Sequence, residues 1–249
     1  MRVVFLGSAG SVPVRRHILT SLLVDNYLLD CGYGVPCELA ELGLLHEVKA
    51  VFVSHFHLDH YYGLGELMWK YYLYGRESPL TVIGPRGVTE VVKSLLESAR
   101  LPLAKLPFDV DFVELDPGDK YLNVKTSEVT HSVEPALAFR IEGRSIVVYS
   151  GDTAPSRSVV DLARGAYLLV HEASYPAGDE EKAHGDGHST ARDAGLVARE
   201  AQVKMLALVH IPYFRVKAEN VAIQFASSAS KVFGGPVIVP ASGMTLLLP

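Results

Sequence analysis

The sequence predicts an α/β fold with two central β-sheets and helices outside them. Short apolar runs typical of strands dominate the first part of the chain, and each half then acquires segments with helical spacing. Of the 249 residues, 49% are hydrophobic and 20% are charged, so the chain can bury a sizeable core. Because we find no internal repeat, low-complexity tract or polar linker, we expect one domain over residues 1–249.

The first half contains one segment with clear strand character and one with clear helix character. AVFVS (50–54) is a continuous apolar run of the length typical of a buried strand. Residues 61–75 instead show apolar side chains at helical intervals, namely Leu64, Leu67, Met68, Tyr71 and Tyr72. The other predicted elements are strands at 2–6, 18–24, 27–29, 80–84 and 108–115, and helices at 36–44 and 87–99.

The second half alternates strands with helices. Residues 136–150 are typical of a hairpin that turns at 142–144. The other predicted strands are 121–130, 167–171, 205–210, VIVP and MTLLLP, and the predicted helices are 156–164, 189–201 and 218–232.

Charge and cysteine content narrow the class of protein. The net charge of −5 argues mildly against a protein that binds nucleic acid over its whole surface, although a local basic track stays open. Four dispersed cations are its candidates: Arg15, Arg16, Arg86 and Lys182. Two cysteines are too few for a disulfide framework, and no secretory leader or membrane-length apolar run is visible. We therefore expect a cytoplasmic protein that does not bind a membrane.

The sequence HFHLDH (55–60) puts three histidines and an aspartate into six positions directly after a predicted buried strand. A single histidine after a strand is usually a structural or surface residue, but this density favours metal ligation. In an extended backbone His55, His57 and Asp59 would share one face, and His60 would point the other way. Two histidines at i and i+2 suit one ion, which leaves Asp59 and His60 for a second.

Further metal-competent residues follow later strands. His131, Asp152, His171 and His210 each come at or near the end of a predicted strand, where adjacent loops can converge on one crevice. Asp152 lies in the loop SGDT and is the candidate to bridge two ions. Imidazole and carboxylate ligands without thiolate suit zinc, and also manganese, iron or cobalt.

These motifs make the chain similar to the metallo-β-lactamase superfamily, whose HxHxDH signature HFHLDH matches. Within it the chain most resembles ribonuclease Z, the zinc phosphodiesterase that trims tRNA 3′ trailers. The resembling segments are LGSAGSVP (6–13), LLDCG (28–32), VIGPRG (82–87), YSGDTAPS (149–156), HEASY (171–175) and HSTARDAG (188–195). The resemblance covers nearly the whole chain and implies a four-layer αββα sandwich.

The resemblance also implies roles for individual residues. One ion would be held by His55, His57, His131 and Asp152, and the other by Asp59, His60, Asp152 and His210. Both ions are expected to be Zn²⁺, with Mn²⁺ or Fe²⁺ as alternatives. Asp59 would orient the attacking water, and His188, held by Glu172, would protonate the leaving oxygen. Ser189, Thr190 and Asp193 are also typical of a helix N-terminus that positions His188.

The chain departs from the ribonuclease Z pattern at two points. Members of that family usually carry a protruding tRNA-binding arm, which in the short form lies between the segments that hold His131 and Asp152. Here one predicted hairpin fills that interval, so an arm does not fit. In addition, the polar segment that usually follows DCG is replaced by Tyr33-Gly34-Val35-Pro36. Both departures concern the substrate, which is expected to be tRNA, other RNA or a small phosphodiester.

Two other functions stay open at the level of sequence. HxHxDH permits a lactonase or thioesterase of the same superfamily, and a non-catalytic metal-binding protein is the remaining alternative.

Tyr62 and Trp69 lie off the apolar stripe of residues 61–75, which predicts either a helix covered on both sides or a subunit contact. On that basis and by the resemblance, we expect a homodimer. His17, His46 and His184 are expected to be surface histidines.

Overall fold

A computed structural model describes residues 1–14, 17–215 and 220–249. Among these residues two mixed sheets of seven strands form the centre of the molecule. The strands are β1 (Arg2–Gly7), β2 (Ser21–Val24), β3 (Tyr27–Leu29), β4 (Ala50–Phe52), β5 (Leu80–Pro85), β6 (Val110–Leu115), β7 (Lys120–Tyr121), β8 (Val124–Glu128), β9 (Leu137–Glu142), β10 (Ile146–Tyr149), β11 (Leu168–Glu172), β12 (Met205–Val209), β13 (Val237–Ile238) and β14 (Thr245–Leu247). The helices are α1 (Val35–Glu41), α2 (Leu58–Tyr61), α3 (Gly63–Leu73), α4 (Val88–Ser98), α5 (Arg157–Ala163), α6 (Glu180–Gly185), α7 (Ala191–Glu200) and α8 (Val221–Phe233).

Each sheet combines antiparallel and parallel pairs. The first has the order β14-β1-β2-β3-β4-β5-β6, and its strands from β3 onwards are parallel. The second has the order β13-β12-β11-β10-β9-β8-β7, and its strands from β10 to β13 are parallel. Parallel neighbours end at the same edge of a sheet, so the loops after β3, β4, β10, β11 and β12 can contribute to a common site.

The pattern of burial shows four layers. In β1, Val3 and Phe5 belong to the apolar cluster between the two sheets, whereas Val4 and Leu6 belong to the cluster on the side of α1, α3 and α4. A third cluster joins the other face of the second sheet to α5, α7 and α8. Strand side chains alternate between the faces of a sheet, so strands buried on both faces read as continuous apolar runs. The predicted αββα sandwich is confirmed.

Two predicted elements are interrupted, each for a local reason. The helix predicted at 61–75 is divided at Tyr62, because the amide of Gly63 donates to the carbonyl of Cys31 at 2.9 Å instead of continuing a helix. The strand predicted at 121–130 is two strands, since Leu122 has a φ of 53° and turns the chain between β7 and β8.

Two other elements differ in extent from the prediction. Helix α6 is not among the predicted elements; acidic residues in its first turn and basic residues in its last suit the helix dipole. The helix predicted to begin at residue 218 is described from Val221, because 216–219 lie outside the described residues.

Helix α3 carries an exposed aromatic side. Leu64, Leu67 and Met68 are fully buried, as their spacing predicts, but Tyr72 is exposed although it lies on the same stripe. Trp69 is 48% exposed and stacks on Tyr72 at a ring-centroid distance of 5.7 Å. The prediction that this chain covers the helix on both sides is therefore wrong.

Among the described helices, none has the length and apolar composition that a membrane crossing requires. Location in the cytoplasm stays a prediction.

Candidate metal centre

The HFHLDH motif changes its backbone conformation halfway. His57 is extended, with φ −72° and ψ 142°, and α2 begins at the next residue. His55 and His57 therefore belong to an extended segment, whereas Asp59 and His60 lie on a helical turn. Our expectation that Asp59 shares an extended face with the two histidines is wrong, because the chain turns between them.

The seven predicted ligands lie together at one edge of the two sheets. They come from the loops after β4, β8, β10 and β12, and they form two groups whose ligand atoms lie within 4.8 Å of one another. The first group is His55, His57, His131 and Asp152, and the second is Asp59, His60 and His210. Asp152 Oδ2 also lies 3.4 Å from His60 Nε2 and 3.2 Å from His210 Nε2, so this carboxylate lies between the groups.

In the first group, hydrogen bonds on the outer nitrogens orient two imidazoles. His55 Nδ1 lies 3.0 Å from the hydroxyl of Ser54, which itself donates to Asp30 and can therefore accept from the ring. His131 Nδ1 donates to the carbonyl of Gly187 at 2.8 Å. These contacts leave the Nε2 lone pairs of His55 and His131 directed at the centre of the group.

In the second group, Asp30 and Ser174, which the sequence does not predict as site residues, orient the imidazoles in the same way. His60 Nδ1 donates to Asp30 Oδ2 at 2.7 Å, and His210 Nδ1 lies 2.7 Å from the hydroxyl of Ser174. That hydroxyl donates to Glu172, so it accepts from the His210 ring. In both histidines Nε2 is therefore the nitrogen that faces Asp59 and Asp152.

Burial and charge set the protonation of these groups. Burial lowers the pKa of His55 and the pKa of His57. The neighbouring His60 adds to this effect at His55, and His131 adds to it at His57. Both imidazoles therefore keep a lone pair available at neutral pH. Burial acts to raise the pKa of Asp152, but the imidazoles of His210 and His60 outweigh it and hold that pKa well below its usual range. The carboxylate is therefore ionised.

These residues fit a divalent cation. The buried Nε2 of His60 has no hydrogen-bond partner within the described ranges. His57 Nδ1 lies 3.1 Å from His55 Nε2 and 3.0 Å from His131 Nε2, so three ring nitrogens converge on one point. Imidazole and carboxylate donors of this kind bind Zn²⁺, Mn²⁺ or Fe²⁺. The chemistry of the donor set thus indicates divalent metal binding.

His188 lies beside this centre with a carboxylate partner. Its Nδ1 donates to Glu172 Oε1 at 2.8 Å and lies 3.9 Å from Asp152 Oδ2. His188 is also grouped with Asp152 and His210 as a possible ligand set. The nitrogen nearest Asp152 already carries the proton shared with Glu172, which favours a proton-transfer role over ligation.

The elements around His188 hold it in position. Thr190 caps α7 through a capping box with Asp193, as the sequence predicts. The Glu172 carboxylate also accepts from the amides of Thr153 and Ser174 at 2.9 and 3.0 Å, so it is fixed independently of the ring. Burial acts to lower the pKa of His188, but Glu172 and Asp152 outweigh it and raise that pKa to about 9.

The other histidines lie outside the two groups. His171 is buried within β11, and its Nδ1 donates to the carbonyl of Glu172 at 2.8 Å, so it is not a loop residue. His17 stacks on Tyr213 at 3.8 Å, and His46 packs edge-on to Tyr74. His184 is exposed, as predicted, and its Nε2 also lies 2.9 Å from Asp193 Oδ2.

Gly10 shows how closely the first loop approaches the centre. A Cβ atom at this position would lie 2.5 Å from His210 Nδ1, which is closer than real contacts allow. The neighbouring Ser11 donates its amide to Asp59 Oδ2 at 3.0 Å. A side chain at residue 10 would therefore displace His210, which explains the glycine in the sequence LGSAG.

Between His131 and Asp152 the chain forms only the hairpin of β9 and β10. The protruding arm that the sequence predicts to be missing is absent from this interval, all of which is described.

Arg86 pairs with Asp116 and is exposed, so it is not a free cation at the site. Arg15 and Arg16, the first two candidates for a basic track, lie outside the described residues.

Comparison with known proteins agrees with this geometry. Residues 25–211 match the family model described as the Beta-lactamase superfamily domain. The ribonuclease Z of Methanothermobacter thermautotrophicus is 32% identical over 284 aligned residues, which cover 91% of each chain. Because that alignment is longer than the 249 residues of this chain, the relative carries segments that this chain lacks.

Solved structures show the same fold. The short form of human tRNase Z superposes with a TM-score of 0.81 at 22% identity and covers all of both chains. The metallo-β-lactamase fold protein YhfI from Bacillus subtilis has the same TM-score at 23% identity over 98% of each chain. The two-sheet sandwich carries histidines and aspartates at one edge, and the family model and the 32% identical relative match most of the chain. The chain is therefore a member of the β-lactamase superfamily and, within it, of the ribonuclease Z family.

Proposed function

We propose that the chain is a dinuclear metal phosphodiesterase of the ribonuclease Z type, which cleaves RNA near its 3′ end. One observation carries the proposal: Asp152 lies between two groups of ligands, and the His188–Glu172 pair lies directly beside it. A phosphodiester needs an activated water, charge stabilisation at phosphorus and a proton for the leaving oxygen. The two groups and the pair supply these three requirements.

Two Zn²⁺ ions are the proposed occupants, with Mn²⁺ or Fe²⁺ as alternatives. Bound divalent ions would lower the pKa of water and stabilise negative charge at the reacting phosphate. The proposed ligands of the first ion are His55, His57, His131 and Asp152, and those of the second are Asp59, His60, Asp152 and His210.

His188 is the proposed general acid. Since its pKa is raised to about 9, the ring is protonated at neutral pH and can donate from Nε2. Glu172 fixes the ring through Nδ1 and stabilises its positive charge. The proton would go to the leaving 3′ oxygen of the substrate.

Asp59 is the proposed residue that orients the attacking water. Its Oδ2 accepts from the amide of Ser11 and lies 3.1 Å from His210 Nε2, so both neighbours fix this carboxylate. His60 and His210 also lower the pKa of Asp59 well below its usual range, against the effect of burial. The carboxylate is thus ionised and can accept a hydrogen bond from the attacking water, which orients it.

The natural substrate is proposed to be a precursor tRNA or another RNA. The relatives named ribonuclease Z and tRNase Z support this class of substrate. Since this chain has only a hairpin between His131 and Asp152, it would have to bind a folded tRNA without an arm in that interval.

The test is cleavage of a 3′-extended precursor tRNA beside bis(p-nitrophenyl) phosphate, with protein loaded with zinc or manganese. We expect turnover of at least one, abolished by a chelator and restored by metal. Activity on neither would exclude the proposal. Rapid hydrolysis of lactones or thioesters, without phosphodiesterase activity, would instead identify an acyl-ester hydrolase of the same superfamily.

A homodimer is also part of the proposal. It is supported by the exposed aromatic side of α3, where Trp69, Tyr72 and Tyr74 are each exposed by 40% or more of their surface. Aromatic residues are enriched at protein interfaces, and contiguous exposed apolar patches mark such sites.

A further inference from the structure

A small cleft opens from the proposed catalytic centre on the side of His188. It is about 30 Å³ in volume. The residues that line it include His188, His210, Tyr175, Phe214 and Arg215. His188 and His210 belong to the centre, whereas Tyr175, Phe214 and Arg215 have no part in the chemistry described above. We call these three residues the outer cleft.

Tyr175 connects the outer cleft to His188. The two rings lie 6.2 Å apart, and the backbone of Tyr175 pairs with the segment that follows His188, since its amide donates to Ser189. The Tyr175 hydroxyl donates to Asp186 in a short contact. Tyr175 is therefore held on both sides, at a fixed position relative to the proposed general acid.

Arg215 is held by Tyr175 but keeps most of its donors. Its guanidinium carbon lies 5.5 Å from the centroid of Tyr175 and 5.1 Å from that of Phe214, and its Nη1 donates to the Tyr175 hydroxyl at 3.3 Å. Within residues 1–14, 17–215 and 220–249, no carboxylate forms an ion pair with it. An exposed guanidinium held by aromatic rings is suited to bidentate binding of a phosphate.

Phe214 offers a second type of contact in the outer cleft. Its ring is 39% exposed, although it lies next to a catalytic centre. Nucleobases stack on such rings, and each stacked base contributes about 1–3 kcal/mol to binding. A cation and an exposed ring side by side are the two features that recognise a nucleotide, rather than an isolated phosphate.

The position of the outer cleft determines which nucleotide it would bind. His188 protonates the leaving oxygen, so whatever continues from that oxygen extends past His188 and Tyr175 towards Arg215. We propose that Arg215 binds the phosphate that flanks the cleaved bond on its leaving-group side, and that Phe214 stacks on a base of the same strand. The preferred substrate is then an oligonucleotide 3′ end with at least one phosphate upstream of the cleaved one. This inference rests on the proposed phosphodiesterase function.

The sharpest test compares three substrates that differ by one phosphate. ApA contains only the cleaved phosphate, pApA adds a 5′-phosphate on the leaving nucleoside, and ApAp adds a 3′-phosphate on the opposite side. In the parent protein we expect kcat/KM for pApA to exceed that for ApA about 10-fold or more, as a charged hydrogen bond to phosphate implies. ApAp would lack this advantage.

The variant Arg215→Gln should remove the advantage of pApA, chiefly through KM, and Arg215→Lys should restore part of it. For a longer oligonucleotide, the slope of log KM against log salt should fall by about 0.7 when one phosphate contact is lost. The matched control is Arg199→Gln, which removes one exposed charge at the far end of α7 and should behave as the parent. Phe214→Ala should weaken the binding of an oligonucleotide more than it weakens the binding of the same oligonucleotide with an abasic upstream residue.

Binding provides a measurement independent of turnover. In a His188→Ala background, fluorescence anisotropy with a labelled oligonucleotide should show about 10-fold weaker binding when Arg215 is also Gln. If the parent cleaves ApA and pApA equally well, or if Arg215→Gln changes the kcat/KM of both alike, this inference is wrong although the phosphodiesterase stands. If the metal-loaded parent cleaves no phosphodiester at all, both proposals fail.

Discussion

Asp30 Oδ2 lies 2.7 Å from His60 Nδ1 in a fully buried position. The same oxygen accepts from the hydroxyl groups of Ser54 and Tyr149 at 2.8 and 2.7 Å, and Ser54 in turn contacts His55. One carboxylate thus orients a histidine of each ligand group. The two groups are joined through Asp30 on their outer side, as they are through Asp152 on the inner side.

Asp30→Asn should therefore weaken metal binding without removing a ligand. Since the amide no longer stabilises the proton on His60 Nδ1, we expect an affinity loss of about 10- to 100-fold at the weaker of the two sites. Isothermal titration of the metal-free protein measures it. Tyr149→Phe, which removes one hydrogen bond to Asp30 but keeps the carboxylate beside His60, should lose much less; equal effects of the two variants would contradict this role.

The position of Asp152 between the two groups predicts how metal content depends on each carboxylate. Asp152→Ala should lose metal at both sites, whereas Asp59→Ala should lose it mainly at the second, because the Asp152 carboxylate lies beside histidines of both groups. Elemental analysis after dialysis gives the stoichiometry. Asp179→Ala, in an exposed loop, serves as the control, and unchanged metal content in either ligand variant would refute the assignment.

His188→Ala separates proton transfer from metal ligation. If His188 is the general acid, kcat on RNA should fall by about 10²- to 10⁴-fold, and less on bis(p-nitrophenyl) phosphate, whose leaving group needs little protonation. Metal content should match the parent. A loss of metal in this variant would show that His188 is a ligand with Asp152 and His210 instead.

Glu172→Gln should move the pH dependence of cleavage in a defined direction. Burial lowers the pKa of His188, and Glu172 is the largest of the influences that raise it. A general acid acts only while protonated, so activity is lost as pH rises through its pKa. Without the carboxylate that pKa falls, and the alkaline limb of kcat should shift to lower pH. Glu172→Asp should restore part of the shift, and an unmoved limb would contradict the pairing.

Trp69→Glu tests the proposed dimer. A carboxylate in an apolar interface would lose its hydration, so the variant should be a monomer by light scattering, whereas the parent has the mass of a dimer. Ile223→Glu provides the control, since Ile223 is an apolar residue on α8 that is more exposed than Trp69. A monomeric parent would remove the basis for this interface.

Much of the candidate site follows from local sequence. HFHLDH, His131, Asp152 and His210 are visible because metal-competent side chains come at or near the ends of predicted strands, and strand ends meet at one edge. The capping box of Thr190 and Asp193 is equally local. In contrast, Asp30, Ser54 and Ser174 were not found, although Asp30 also follows a strand. Their role depends on which nitrogen of a distant ring they contact, and residue spacing does not contain that information.

The sequence by itself determined two central sheets with helices outside them and the residues gathered at one edge, because apolar runs and strand-end positions are properties of short segments. Tertiary structure decided three other matters. The turn at Leu58 directs Asp59 and His60 away from the extended face of His55 and His57. Asp30 connects both groups of ligands, and Tyr175 aligns Arg215 with His188. The last two are contacts between segments far apart in the chain, and only the packing of the two sheets fixes such distances.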